Sequence, residues 1–157
     1  MHNPVMIEAH EIKAAQETWG KAVVGIGAAS SRDEARALAV KVAEELYAID
    51  GGELLFCPTK ASVNQFRASL KDVVSYFVGG DPDHEEDSGF ALEPWSSVRF
   101  ENAGIIERED VGIAMGNYFF GRVDGSELKV EYSFVYVRGA SGSLEIQLHH
   151  SALPYQP

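Results

Sequence analysis

An α+β fold, with N-terminal helices laid on one face of a curved antiparallel sheet, is predicted by three features of the chain. Apolar residues recur with the helical period of about 3.6 up to Gly80, they alternate with the strand period after Asp81, and the late segments are joined by turns too short for a crossover. Helices gathered early and strands gathered late pack as a helical layer on one face of a sheet.

Each element has its own signal. From 8 to 26 the apolar positions Ile12, Ala15, Trp19, Ala22, Val23 and Ile26 form one helical stripe, which Gly25 and Gly27 close. Ser31 caps a second helix, with Glu34 completing a capping box, and the stripe Ala35, Leu38, Val42, Leu46, Ile49 runs to Asp50-Gly51-Gly52. Residues 54–57 form a short apolar strand ended by Pro58, and 63–67 is a second candidate strand whose pattern also fits the start of a helix. Ser69 and Asp72 frame a third helix, with Leu70, Val73, Val74, Phe77 and Val78 inward and Gly79-Gly80 as its stop. Strands are expected at 97–106, 111–121, 128–137 and 144–151, a meander turning at 108–110, 124–125 and 139–142.

The 157 residues fit one domain, 1–157, and 45% hydrophobic content supplies its core. With 13 Lys and Arg against 24 Asp and Glu the net charge is −11, which repels nucleic acid and anionic membrane surfaces. Cys57 is the single cysteine, so no intramolecular disulfide and no multi-cysteine zinc site can form. Met1-His2-Asn3-Pro4 does not begin a secretory signal, no stretch is apolar enough to span a bilayer, and a cytoplasmic location is expected. Within 128–137, Leu128, Val130, Tyr132, Phe134 and Tyr136 make one apolar face. The preceding strand is apolar on both faces, with Ile113, Met115 and Phe119 against Ala114, Tyr118 and Phe120. Helices cover only one side of such a sheet, so the other side predicts a homo-oligomer, most simply a dimer.

The order of elements, with Leu46-Tyr47-Ala48-Ile49-Asp50, Pro58-Thr59, Val130-Glu131-Tyr132-Ser133-Phe134 and Leu148-His149-His150-Ser151-Ala152-Leu153-Pro154, resembles the nuclear transport factor 2-like superfamily, of cystatin-like architecture. Within it the chain is similar to SnoaL-like cyclases and to bacterial relatives of the calcium/calmodulin-dependent protein kinase II association domain. The resemblance implies a cone-shaped curved antiparallel sheet wrapped around the N-terminal helices, with an apolar-lined cavity at the open end of the cone. Steroid isomerases of this superfamily carry a general-base aspartate in the slot that Cys57 fills here, and a first-helix phenol where this chain has Trp19. Both departures argue against isomerase chemistry.

The candidate pocket residues are His150, Tyr132, Asn117, Trp95, Cys57 and Trp19. Neighbours on a strand point to opposite faces, so His149 and His150 cannot chelate one metal. His150 shares a face with Leu144, Ile146 and Leu148 and is expected at the cavity, as general acid or base or as a hydrogen-bonded core histidine; His149 lies with Glu145 and Gln147. Tyr132, Asn117 and Trp95 suit an apolar pocket with a few polar groups, whereas the alternation around Arg99 turns it to a surface ion pair. Cys57 has no assigned base and reads as a small buried hydrophobe. The run Asp81-Pro82-Asp83-His84-Glu85-Glu86-Asp87 fails the calcium-loop pattern and is expected to be a solvated acidic loop. Gly25-Ile26-Gly27 follows no strand, so no nucleotide site is supported, and no metal or cofactor is expected. Two functions remain open: a pocket that binds or transforms a small apolar or cyclic molecule, or a non-catalytic association module.

Overall fold

A computed structural model describes residues 5–157; the opening tetrapeptide read above for a leader lies outside the described residues. α1 (Ala9–Gly27), α2 (Arg32–Leu46) and α3 (Leu70–Val78) pack into a layer beneath a five-stranded sheet. The strands are β1 (Leu55–Cys57), β2 (Trp95–Glu107), β3 (Gly112–Arg122), β4 (Glu127–Arg138) and β5 (Leu144–Ala152), in the order β1-β5-β4-β3-β2. β2 to β5 form the antiparallel meander, and β1 joins its edge parallel to β5. Ser31 and Ser69 are the expected N-caps: Ser31 accepts from the Glu34 N–H, and Ser69 and Asp72 exchange bonds reciprocally, but the box expected at α2 does not close, because the Glu34 carboxylate takes the N–H and hydroxyl of Ser30 instead.

Alternation along β4 buries Val130, Tyr132, Phe134 and Tyr136 on the concave face. α1 fills that concavity. Ile12, Trp19, Val23 and Ile26 are all buried there, and the Trp19 ring packs within 6.4 Å, centroid to centroid, of Phe77, Phe100, Tyr118, Phe120, Phe134 and His149. Two irregularities in the β2 register, at Trp95/Ser97 and Asn102/Gly104, bend the sheet around the helix. At the second of these the backbone of β2 closes on Gly116, where an added Cβ would lie 2.1 Å from the Glu101 carbonyl oxygen. Among the described residues no helix is long and apolar enough to cross a membrane.

Two expectations are corrected here. Residues 63–67 are not a strand: Arg67 makes an isolated bridge to Phe56, while the N–H groups of Ser62, Val63 and Asn64 are taken by the Glu86 carboxylate. Val63 and Phe66 are each 77% exposed, so no packed face holds the segment in a sheet. The acidic run is likewise only partly solvated. The Asp87 carboxylate is buried, receives both terminal nitrogens of the buried Arg67 guanidinium at 2.8 and 2.9 Å, and accepts from Ser75 at 2.6 Å. His84 Nε2 meets Asp72 at 2.7 Å, and Lys71 pairs with Asp81 and Asp83. The run therefore straps the loop after β1 onto α3.

Candidate functional site

Where β5, β3 and the loop after β1 meet, hydroxyl and imidazole groups gather in an otherwise aromatic interior. Ser151 Oγ lies 2.5 Å from both Tyr118 Oη and Thr59 Oγ1. Tyr118 Oη is also 3.0 Å from His149 Nε2, and His149 Nδ1 is 3.0 Å from Tyr47 Oη, which accepts from Trp19 Nε1 at 3.0 Å. Tyr76 brings a further phenol, accepting from the Lys60 N–H at 3.1 Å. Trp19, Tyr47, Tyr76, Tyr118, His149 and Ser151 are each at most 5% exposed, while Thr59 is half-buried.

These groups border a cavity closed by Phe56, Pro58, Phe77, Phe90 and Phe120. Its volume, about 10 Å³, is that of roughly one water molecule. A ring-sized guest has no room there. A larger groove of about 360 Å³ lies beside β1, between Leu54–Cys57, Phe66–Ala68 and Leu148–His150; the one cation on its wall, Arg67, is already engaged by Asp87.

Burial governs the electrostatics. It pushes the Tyr47 and Tyr118 phenols far above their ordinary range and Tyr76 up to about 12, against the opposing hydrogen bonds from Lys60 and Thr59 at Tyr76. His149 is sandwiched between Phe56, with ring centroids 4.8 Å apart, and Phe134, at 4.2 Å. Desolvation, and secondarily the neighbouring His150, push its pKa down to about 3. The imidazole is therefore neutral across the physiological range.

This has a consequence for stability. Between the folded value near 3 and the ordinary 6.5, only the unfolded chain carries the extra proton, so the contribution is intact above 6.5 and is lost as pH falls. The slope it imposes is at most roughly 1.4 kcal/mol per pH unit. Urea unfolding at pH 7 and pH 5 is expected to show the decline, and His149→Gln is expected to flatten it; an equally steep fall in the variant would contradict the assignment.

The structure redistributes the sequence candidates. Trp19 borders the cavity. His150 does not: it is exposed, and His149 points inward instead. The physical reason is a β-bulge. Tyr136 pairs with Ile146 but Val135 pairs with Leu148, so Gln147 is an inserted residue, and the alternation that buries Ile146 resumes one step out of phase to bury His149 and Ser151. Cys57 lies opposite His150 in register, half-buried and lining the outer groove, with its thiol pKa raised by desolvation. Tyr132 is buried on the concave face, but its hydroxyl is tied to Asn102 at 2.5 Å, within a Gln16–Asn102 pair. Asn117 sits in register with Glu131 on the convex face and donates to the Val130 carbonyl. Trp95 is buried beside Phe120, its indole N–H held by the Phe90 carbonyl. Arg99 forms its surface pairs with Glu127 and Glu101.

Sequence reasoning missed Thr59, Tyr76, Tyr118, Ser151 and Tyr47 as site residues. Isolated hydroxyls have no spacing signature, and the one available cue was that Tyr118 lies on the strand face that turns out to be concave.

Among the described residues no three His, Cys, Asp or Glu side chains group as a metal cage. The donor set of the cavity is one of hydroxyls around a neutral imidazole. A family model described as metal-independent carbonic anhydrase matches residues 10–153. A metal-independent carbonic anhydrase of Nostoc sp. is 37% identical over 154 residues, covering 96% of this chain and 75% of that protein. Among solved structures, the iota-carbonic anhydrase from a cyanobacterium complexed with bicarbonate superposes over all of both chains, with 35% identity and a TM-score of 0.93. A Xanthomonas campestris protein described as a calcium/calmodulin-dependent protein kinase II association domain gives a TM-score of 0.60 at 24% identity over 96% of this chain and 91% of that one. A nuclear transport factor 2-like superfamily protein of Salmonella enterica gives 0.58 at 12% identity, over 94% and 91%. The last two share the fold alone and bear out the architecture expected from the resemblance. The first two matches cover nearly the entire chain, site included, and on them this chain belongs to the metal-independent carbonic anhydrase family.

Proposed function

We propose that the protein interconverts carbon dioxide and bicarbonate in the cavity bordered by Thr59, Tyr76, Tyr118 and Ser151. The reaction joins a water oxygen to the carbon of CO2, moves one C=O π pair onto oxygen and releases a proton from the water. Barrier lowering in this cavity rests on orientation and on hydrogen bonds aimed where charge develops. Ser151 and Thr59, 2.5 Å apart, are small enough to face both the incoming water and the nascent carboxylate oxygens. Tyr118 holds Ser151 from one side, and Tyr76 flanks the cavity from α3. The aromatic wall excludes bulk water, which strengthens each of these bonds. The water's proton leaves to solvent past Thr59, the half-buried member of the cluster.

The observation that carries the proposal is the packing of hydroxyls at 2.5 Å around a cavity that has room for one water and must widen beside the half-buried Thr59 to take CO2 with it, in a chain that superposes throughout on a bicarbonate-bound relative. A non-catalytic association module gives no reason for hydroxyls and an imidazole to gather beside a cavity in the aromatic interior. Stopped-flow CO2 hydration with the purified protein, before and after exhaustive chelation, tests it. Turnover that persists after chelation is expected; a rate equal to that of buffer alone would refute it.

We also propose that the convex sheet face pairs two copies. Met115 is 59% and Leu55 67% exposed, with Ile113, Val135 and Leu148 half-buried on the same face. Light scattering is expected to give a dimer mass, and Met115→Asp to shift it towards monomer; a wild-type monomer at micromolar concentration would overturn this.

A further inference from the structure

We infer that Trp19 sets the direction of every proton in the hydroxyl relay behind the cavity, and thereby makes the Ser151–Thr59 end a hydrogen-bond donor to an anionic guest. An indole N–H only donates. Tyr47 Oη accepts it at 3.0 Å, so its own hydrogen must go elsewhere, and among the described residues its one other partner is His149 Nδ1, also at 3.0 Å. A bare Nδ1 places the imidazole proton on Nε2. From there it points at Tyr118 Oη, 3.0 Å away, leaving the Tyr118 hydrogen for Ser151 Oγ at 2.5 Å.

Counting hydrogens at the far end gives the functional consequence. Ser151, Thr59 and the Tyr76 phenol beside Thr59 own three hydroxyl hydrogens and share two hydrogen bonds, each of which uses one. Because Tyr118 supplies its own hydrogen to Ser151, the third is free for the cavity. With the relay reversed, Tyr76 would donate to Thr59, Thr59 to Ser151, Ser151 to Tyr118, Tyr118 to Nε2 and Nδ1 to Tyr47. The three would then offer the guest lone pairs alone, and the Tyr47 hydrogen would be stranded in the interior. An oxyanion such as bicarbonate is held by the first arrangement and repelled by the second. The buried, uncharged state of His149, between two phenyl rings, keeps the imidazole from donating at both nitrogens, which would erase the distinction.

Trp19 is thus a positioning residue: it sits behind Tyr47 and His149 and acts through them, with its N–H separable from its packing. The consequence for the guest rests on the proposed function, whereas the tautomer does not. The test replaces the Trp19 indole by the isosteric benzothiophene, which keeps ring contacts and removes only the N–H; Tyr47→Phe is the second variant. Nitrogen-15 correlation spectra of the intact protein at pH 7, with the His149 signals identified by their loss in His149→Gln, read the tautomer directly. In the wild type one tautomer, protonated at Nε2, is expected in at least about tenfold excess. Either replacement is expected to bring the Nδ1–H form to a measurable share and to weaken bicarbonate binding about tenfold, with conversion rate constants lower at saturation. A wild-type His149 protonated at Nδ1 or at both nitrogens would overturn the inference. So would a tautomer ratio unmoved by removal of the indole N–H. A purely structural Trp19 moves melting temperature and leaves the nitrogen shifts alone. If the tautomer behaves as stated in a protein inert towards CO2, the relay stands and the proposed reaction falls.

Discussion

Ser151→Ala is expected to lower CO2 hydration by about 10²- to 10³-fold, the loss that follows removal of one preorganised donor at a developing oxyanion. The side chain contributes a single buried oxygen, and that oxygen joins two others: it receives Tyr118 and contacts Thr59, each at 2.5 Å. Its removal interrupts the path between His149 and the cavity and leaves the Tyr118 hydrogen without a partner. Stability should suffer by only about 1–3 kcal/mol, the penalty of one unsatisfied buried donor, because a methyl group still fills most of the site. Stopped-flow rates measured beside a thermal melt separate the two effects. Undiminished turnover in a folded Ser151→Ala protein would remove Ser151 from the reaction. A small loss of rate accompanied by a large loss of melting temperature would assign it to folding.

Arg67→Met is expected to destabilise the fold by about 3–5 kcal/mol, because it strands a carboxylate in the interior. The Asp87 side chain is fully buried and takes two guanidinium bonds, and Arg67 also binds the carbonyls of Asn64 and Asp72. For a chain of this size the loss corresponds to a melting-temperature drop of roughly 10 °C. Combining Arg67→Met with Asp87→Leu should recover much of it, since an apolar pair of matching shape avoids the unpaired charge. Urea titrations of the single and double variants decide the matter: equal losses would show that the carbonyl contacts, rather than the ion pair, hold the loop. Activity should fall in the single variant too. Thr59 stands on the loop that Arg67 and Glu86 tie down, and a small displacement there opens the 2.5 Å contact with Ser151.

The two variants mark the boundary between what the chain displays in one dimension and what it conceals. Arg67 lay within a stretch that looked like strand, and Asp87 within a run that looked solvated, because neither pattern reveals that an acid 20 positions downstream enters the interior with it as its counter-charge. The same blindness affects the cavity. Trp19 could be placed on the inner stripe of α1, since that placement depends only on helical period. Whether it touches a phenol on the segment after α2, as its N–H does with Tyr47, depends on how two helices and a strand converge.

Local patterns were sufficient for the helices, their caps and the meander. Capping boxes, glycine stops and the change of period act over a few residues, and burial of one face per element leaves few ways to stack them. The resemblance of whole-chain order supplied the cone. Tertiary structure alone decided which histidine faces the interior. Strict alternation from Ile146 sends His150 inward, but one inserted residue at Gln147 reverses the phase, and backbone pairing with β4 is what permits the insertion. It also gathered Thr59, Tyr76, Tyr118 and Ser151, drawn from a loop, a helix and two strands, into hydrogen-bond reach of one another or of the same cavity. A hydroxyl gains chemical meaning from its neighbours in space, and those neighbours are set by sheet curvature and strand register, which no window of consecutive residues encodes.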